Sequence, residues 1–86
     1  MDTREAMRDA LAGLDPLSME IEDESARHAG HAGAQSGGGH FRLNIVSRRF
    51  AGLGRLQRHR LIYDALGGLM AVKIHALAIV ARTPEE

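Results

Sequence analysis

The 86-residue sequence contains no cysteine. That absence excludes disulfides and thiolate nucleophiles, and with them a complete zinc finger or an all-thiolate cluster site within the chain. Any metal chemistry must use histidine or carboxylate ligands. Long apolar runs are lacking too. The longest, Ala76 to Ala81, is six residues, against the roughly 20 that a membrane-spanning helix needs. No membrane span is expected. The start, Met1-Asp2-Thr3-Arg4-Glu5-Ala6, places acids where an export signal has a basic and then an apolar region. Export is therefore not expected, and a cytoplasmic location follows. There is no net charge either, which argues against strong binding to nucleic acid.

What is present is an ordinary globular composition, 44% hydrophobic and 26% charged, so the chain should fold. A chain this short has apolar material for one core, and residues 1–86 read as a single domain. Charge is unevenly spread along it. Eight of the 11 acids lie in residues 2–24, while residues 41–63 hold six arginines and no acid. Such a basic stretch attracts phosphates or an acidic protein face, although any one arginine also fits a solvated helix face.

Asp2-Thr3-Arg4-Glu5 has the spacing of a capping box, and Met7, Ala10, Leu11 and Leu14 share one helical stripe. A helix over Thr3–Leu14 is predicted, ended by Asp15-Pro16. Leu17 to Glu22 alternates strictly, with Leu17, Met19 and Ile21 on one side, as a half-buried strand requires. Residues 25–39 carry five glycines and no large apolar side chain, the composition of a surface loop. His40 to Ser47 resumes alternation through Phe41, Leu43 and Ile45, so a long-looped hairpin is expected. From Arg55 to Leu69 the stripe Leu56, His59, Tyr63, Leu66 predicts a second helix, weakened at Gly67-Gly68. Val72 to Ala81 is nearly continuously apolar, predicting a last strand buried on both faces. The order α-β-β-α-β gives a two-layer α+β fold, a small three-stranded mixed sheet with both helices on one face.

Several segments resemble the BolA family when taken together: Glu24-Ser25, Gly39-His40-Phe41, Val46-Ser47, Phe50-Ala51-Gly52, Arg58-His59-Arg60-Leu61-Ile62-Tyr63, and Ile74-His75-Ala76-Leu77-Ala78-Ile79 with Thr83-Pro84. The resemblance runs from end to end. It implies a fold similar to class II KH domains and a partnership with a monothiol glutaredoxin. In that family a loop His or Cys and a C-terminal His act as cluster ligands. By position the C-terminal ligand is His75. The loop ligand is His28 when counted from Glu24-Ser25 and His31 when counted back from His40-Phe41.

A [2Fe-2S] cluster takes four ligands, usually thiolates, so the isolated chain is expected to bind none. In the implied scheme the glutaredoxin and a glutathione supply thiolates, and His75 with His31 or His28 completes the set. Imidazole ligation raises cluster potential, as in Rieske centres, and makes binding pH-dependent, since imidazole titrates near pH ~6.5. Read without the family, His75 is a sheet histidine and His28 and His31 are loop residues able to clip a zinc ion. His40 reads as a structural hydrogen-bonding residue and His59 as a partly buried one.

A second class of function is a DNA-binding regulator, a role attributed to some BolA-like proteins, using Arg48, Arg49, Arg55, Arg58 and Arg60. Gly52-Leu53-Gly54 is not the GXXG loop with which KH domains clamp RNA. Catalysis is not expected, because Ser25, Ser36 and Ser47 sit in no nucleophile motif. The chain alone is expected to be a monomer or weak homodimer.

Overall fold

The structure is a computed structural model that describes residues 2–25 and 39–86. Helix α1 (Thr3–Leu11) begins where Asp2 accepts a hydrogen bond from the Glu5 amide at 2.9 Å, satisfying a donor that a helix start leaves open. Its last turn tightens into a 3-10 turn, Ala12–Leu14, closed by Asp15 in the left-handed conformation at φ 50 just before Pro16. Met7, Leu11 and Leu14 are buried, with Ala10 packed beside them, so the predicted stripe is the one the helix uses.

Strand β1 (Ser18–Asp23) pairs antiparallel with β2 (Gly39–Val46), and β2 pairs parallel with β3 (Ile74–Arg82). The sheet order is β1-β2-β3. Phe41, Leu43 and Ile45 point from β2 into the core, as the alternation predicted, and Ile21 joins them from β1. Leu17 does not. It precedes β1 and is 52% exposed, although its amide donates to the Val46 carbonyl of β2 at 2.7 Å.

A 3-10 turn, Arg48–Phe50, connects β2 to α2 (Arg55–Leu66), and a short helix α3 (Leu69–Val72) precedes β3. Gly67, at φ 52, breaks the predicted single helix in two. The inward face of α2 also differs from the expected one. Leu56 is 64% and Tyr63 40% exposed, while Ile62 and Leu66 are buried, with Leu61 and Ala65 packed against the core. Arg58 is the reason, since it holds the inward position one turn before Ile62 and its charge disguises the true stripe. Its guanidinium donates to the Leu53 and Ala81 carbonyls at 2.9 and 3.1 Å.

Strand β3 is covered on one face only. Ile74, Leu77, Ile79 and Ala81 face the helices, while Ala76, Ala78 and Val80 are exposed. Continuous apolarity suggested two covered faces, but both helices pack on the same side, and alanine adds little apolar area to an open face. The hydroxyl of Ser47, wholly buried, donates to the Leu14 carbonyl at 2.6 Å and accepts from the Arg49 amide at 3.1 Å. One side chain thereby ties the end of β2 to α1 and caps the following turn.

Candidate functional site: a histidine pair at a β-bulge

The open end of the sheet is built from the ends of β1 and β2 and the start of β3. The Ser25 amide donates to Asp23 at 2.9 Å, and this bonding, side chain and backbone together, holds the Asp23 carboxyl below its usual value. The Ser25 hydroxyl accepts from the His40 amide at 3.1 Å, and the Glu24 amide donates to the His40 carbonyl at 2.7 Å. Residues 25 and 40 are therefore fastened together at the base of segment 26–38. Arg42 pairs with Glu24 at 3.4 Å across the same two strands.

Gly39 must be glycine here. A Cβ at that position would lie 2.5 Å from Cε2 and 2.8 Å from Cζ of the buried Phe41 ring, closer than packed carbon atoms approach. The Gly-His-Phe triplet thus has a packing cause. Glycine makes room for the core phenylalanine, and the histidine between them takes the opposite face of the strand.

His75 sits where the β2–β3 register slips. Gly39 pairs with Ile74 and His40 with Ala76, so His75 is an extra residue against β2, a β-bulge. Bulges re-aim the side chain they carry and gather next to functional sites. The His75 side chain is exposed, and its ring centroid lies 5.1 Å from that of His40, the planes inclined at 46°. His40, set aside in the sequence reading as a structural residue, is thus the immediate neighbour of His75. Sequence spacing of 35 residues gave no sign of it, because parallel pairing joins distant segments. His28 and His31 lie outside the described residues. Among the described residues no group of three or more histidine, aspartate or glutamate side chains converges as a metal site.

The arginines are dispersed. Arg48, Arg55 and Arg60 are exposed. Arg49 pairs with Asp15 at 3.3 Å. Arg58 is bound by Glu86 through two hydrogen bonds of 2.6 and 2.8 Å, and its hydrogen bond to Arg58 is the main reason the Glu86 carboxyl is lowered to about 2. His59 and Arg58, with Leu53 and Arg55, line one wall of a groove of about 390 Å³ whose other wall is Ile79 to Ala81. Among the described residues no helix is long and apolar enough to cross a membrane.

Known proteins resemble this chain in sequence and in fold. A family profile described as BolA-like protein matches residues 11–86. BolA-like protein 1 of Mus musculus is 47% identical over 73 residues, covering 85% of this chain and 51% of its own length. The DNA-binding transcriptional regulator BolA of Escherichia coli is 40% identical over 87 residues, covering 100% of this chain and 80% of its own. SufE-like protein 1 of Arabidopsis thaliana is 49% identical over 78 residues, but this chain spans only 21% of its length, and about half that of the mouse relative. Among solved structures, BolA1 from Arabidopsis thaliana superposes with a TM-score of 0.84 at 39% identity, over 99% of this chain and 95% of that one. The profile match and these full-length likenesses place the chain in the BolA-like protein family.

Proposed function

We propose that the protein is a non-catalytic partner of a monothiol glutaredoxin, sharing a [2Fe-2S] cluster with it through histidine, and that His75 is the ligand borne by the sheet. The observation that carries this reading is the bulge, which presents the His75 imidazole to solvent beside His40 at 5.1 Å between ring centroids. An exposed imidazole on a rigid strand is a ready donor for iron held by another molecule. The chain has no cysteine, so the thiolates come from the glutaredoxin and a glutathione. The second histidine, His31 or His28, belongs to segment 26–38, and the flanking Ser25 hydroxyl accepts from the His40 amide. Anaerobic titration with cluster-loaded monothiol glutaredoxin, followed by visible absorption and circular dichroism, tests the reading. A new spectrum saturating at equal stoichiometry supports it, and an unchanged spectrum without a complex rejects it.

A second reading, a DNA-binding regulator, draws on the Escherichia coli relative of that name, which this chain matches over its whole length. Arg48, Arg55 and Arg60 have the exposure that phosphate contacts require. Arg49 and Arg58 are held by Asp15 and Glu86. An electrophoretic shift with duplex DNA that weakens with salt and in Arg60→Glu supports this role. Salt-insensitive or absent binding removes it.

A further inference from the structure

Strand β3 is an edge of the sheet, and its hydrogen-bonding pattern shows which backbone groups are left over. The Ser47 amide donates to the Arg82 carbonyl at 2.9 Å, so Arg82 and, by alternation, Val80, Ala78 and Ala76 direct their amides and carbonyls toward β2. Leu77, Ile79 and Ala81 direct theirs outward. The outward carbonyl of Ala81 is taken by Arg58 at 3.1 Å, which closes the edge at that end. Among the described residues the amides and carbonyls of Leu77 and Ile79 have no partner, and unpaired edges of this kind template the addition of another strand.

The groove of about 390 Å³ meets β3 at Ile79, Val80 and Ala81, with Arg55 and Leu53 on its other wall. The charged side chains that line it, Arg55 and Arg58, are both cationic. Arg55 is exposed and has no ion-pair partner among the described residues, and no acid occurs from residue 41 to residue 63. A carboxylate already occupies one end: Glu86 binds Arg58 with both oxygens and accepts from the Thr83 amide at 3.0 Å. The opposite edge of the sheet, β1, carries Glu20, Glu22 and Asp23 and would repel the same ligand.

We infer that the β3 edge and its groove bind an extended acidic segment of a partner protein, which adds a strand beside Leu77 and Ile79 and sets a carboxylate on Arg55. The groove end of this surface, at Val80, lies five residues beyond His75 along β3, about 16 Å at the rise of a parallel strand, while Leu77, two residues beyond His75, is about 7 Å away.

Fluorescence anisotropy of the full chain with a short peptide alternating glutamate and valine tests the inference. The controls are a peptide alternating lysine and valine, and a single-stranded oligonucleotide. The acidic peptide is expected to bind saturably, to protect the Leu77 and Ile79 amides from exchange in NMR spectra, and to lose about tenfold or more in affinity with Arg55→Glu. Ile79→Pro removes only an outward amide, which an edge strand tolerates, and should abolish binding where Ile79→Val keeps it. Should the proline variant fail to fold, Arg55→Glu, at an exposed helix position, decides alone. Equal binding of the basic peptide, unchanged affinity in Arg55→Glu, or protection confined to other residues overturns the inference. So does an oligonucleotide that displaces the peptide with tighter affinity, which would give the groove to nucleic acid. None of these readouts involves a cluster, so failure here and failure of the histidine reading are distinguishable.

Discussion

Replacing Ser47 by alanine removes one oxygen and disconnects three parts of the fold. The hydroxyl is wholly buried and donates to the Leu14 carbonyl at 2.6 Å, while accepting from the Arg49 amide at 3.1 Å. Losing the first bond costs about 1 kcal/mol net, and more to the extent that Leu14, itself buried, finds no water. Losing the cap of the Arg48–Phe50 turn costs about another 1 kcal/mol. The sum is about 2 kcal/mol, which for a domain of this size lowers Tm by about 10 °C. Urea unfolding of Ser47→Ala against Ser18→Ala, an exposed strand position, measures it. The control should shift by less than about 0.5 kcal/mol, and both should keep the parent's denaturant slope. Because Ser47 lies seven residues from His40, about 23 Å along the strand, the folded variant should retain the glutaredoxin-dependent spectrum. A Ser47→Ala protein within about 0.5 kcal/mol of its parent would show that the hydroxyl does not join these elements.

Other outcomes follow from the same geometry. Arg58 holds the Glu86 carboxyl at about 2 against an ordinary 4.5. The folded value is the depressed one, so this contribution is complete above 4.5 and is lost as pH falls from there toward 2. Chemical unfolding compared near neutral pH and near pH ~3 should show a smaller acid loss in Glu86→Gln than in the parent; equal losses would refute the linkage. Gly39→Ala should cost about 1–3 kcal/mol, because the new Cβ meets the buried Phe41 ring, and thermal unfolding at full stability would contradict that. Ile62→Ala, at a wholly buried site on α2, should cost about 2–5 kcal/mol in denaturant unfolding, whereas Leu56→Ala, on the exposed side, should cost under about 0.5. The reverse order would restore the stripe expected from periodicity.

Local pattern was enough for α1 and β2, where Met7, Leu11 and Leu14 recur at helical spacing and Phe41, Leu43 and Ile45 alternate. The element order alone implied the mixed sheet, since a helical crossover permits parallel pairing. The phase of α2 was illegible because Arg58 stands on the inward stripe, and the charge of an arginine says nothing of a guanidinium tied to Leu53, Ala81 and Glu86. The single covered face of β3 was hidden in the same way, since Ala76, Ala78 and Val80 read as core and stand in solvent. His75 was recognisable from the family motif around it, but its pairing with His40 depends on a parallel register and a bulge. Neither leaves a trace in spacing. The choice between His28 and His31 lies outside the described residues.

The central claim is that His75 holds iron shared with a glutaredoxin. The most direct test is the anaerobic titration of cluster-loaded monothiol glutaredoxin with the parent protein and with His75→Ala, read by visible circular dichroism. The account predicts a new saturating spectrum with the parent and none with the variant, which should still fold because His75 is exposed. The same spectrum from both proteins would contradict the assignment of His75.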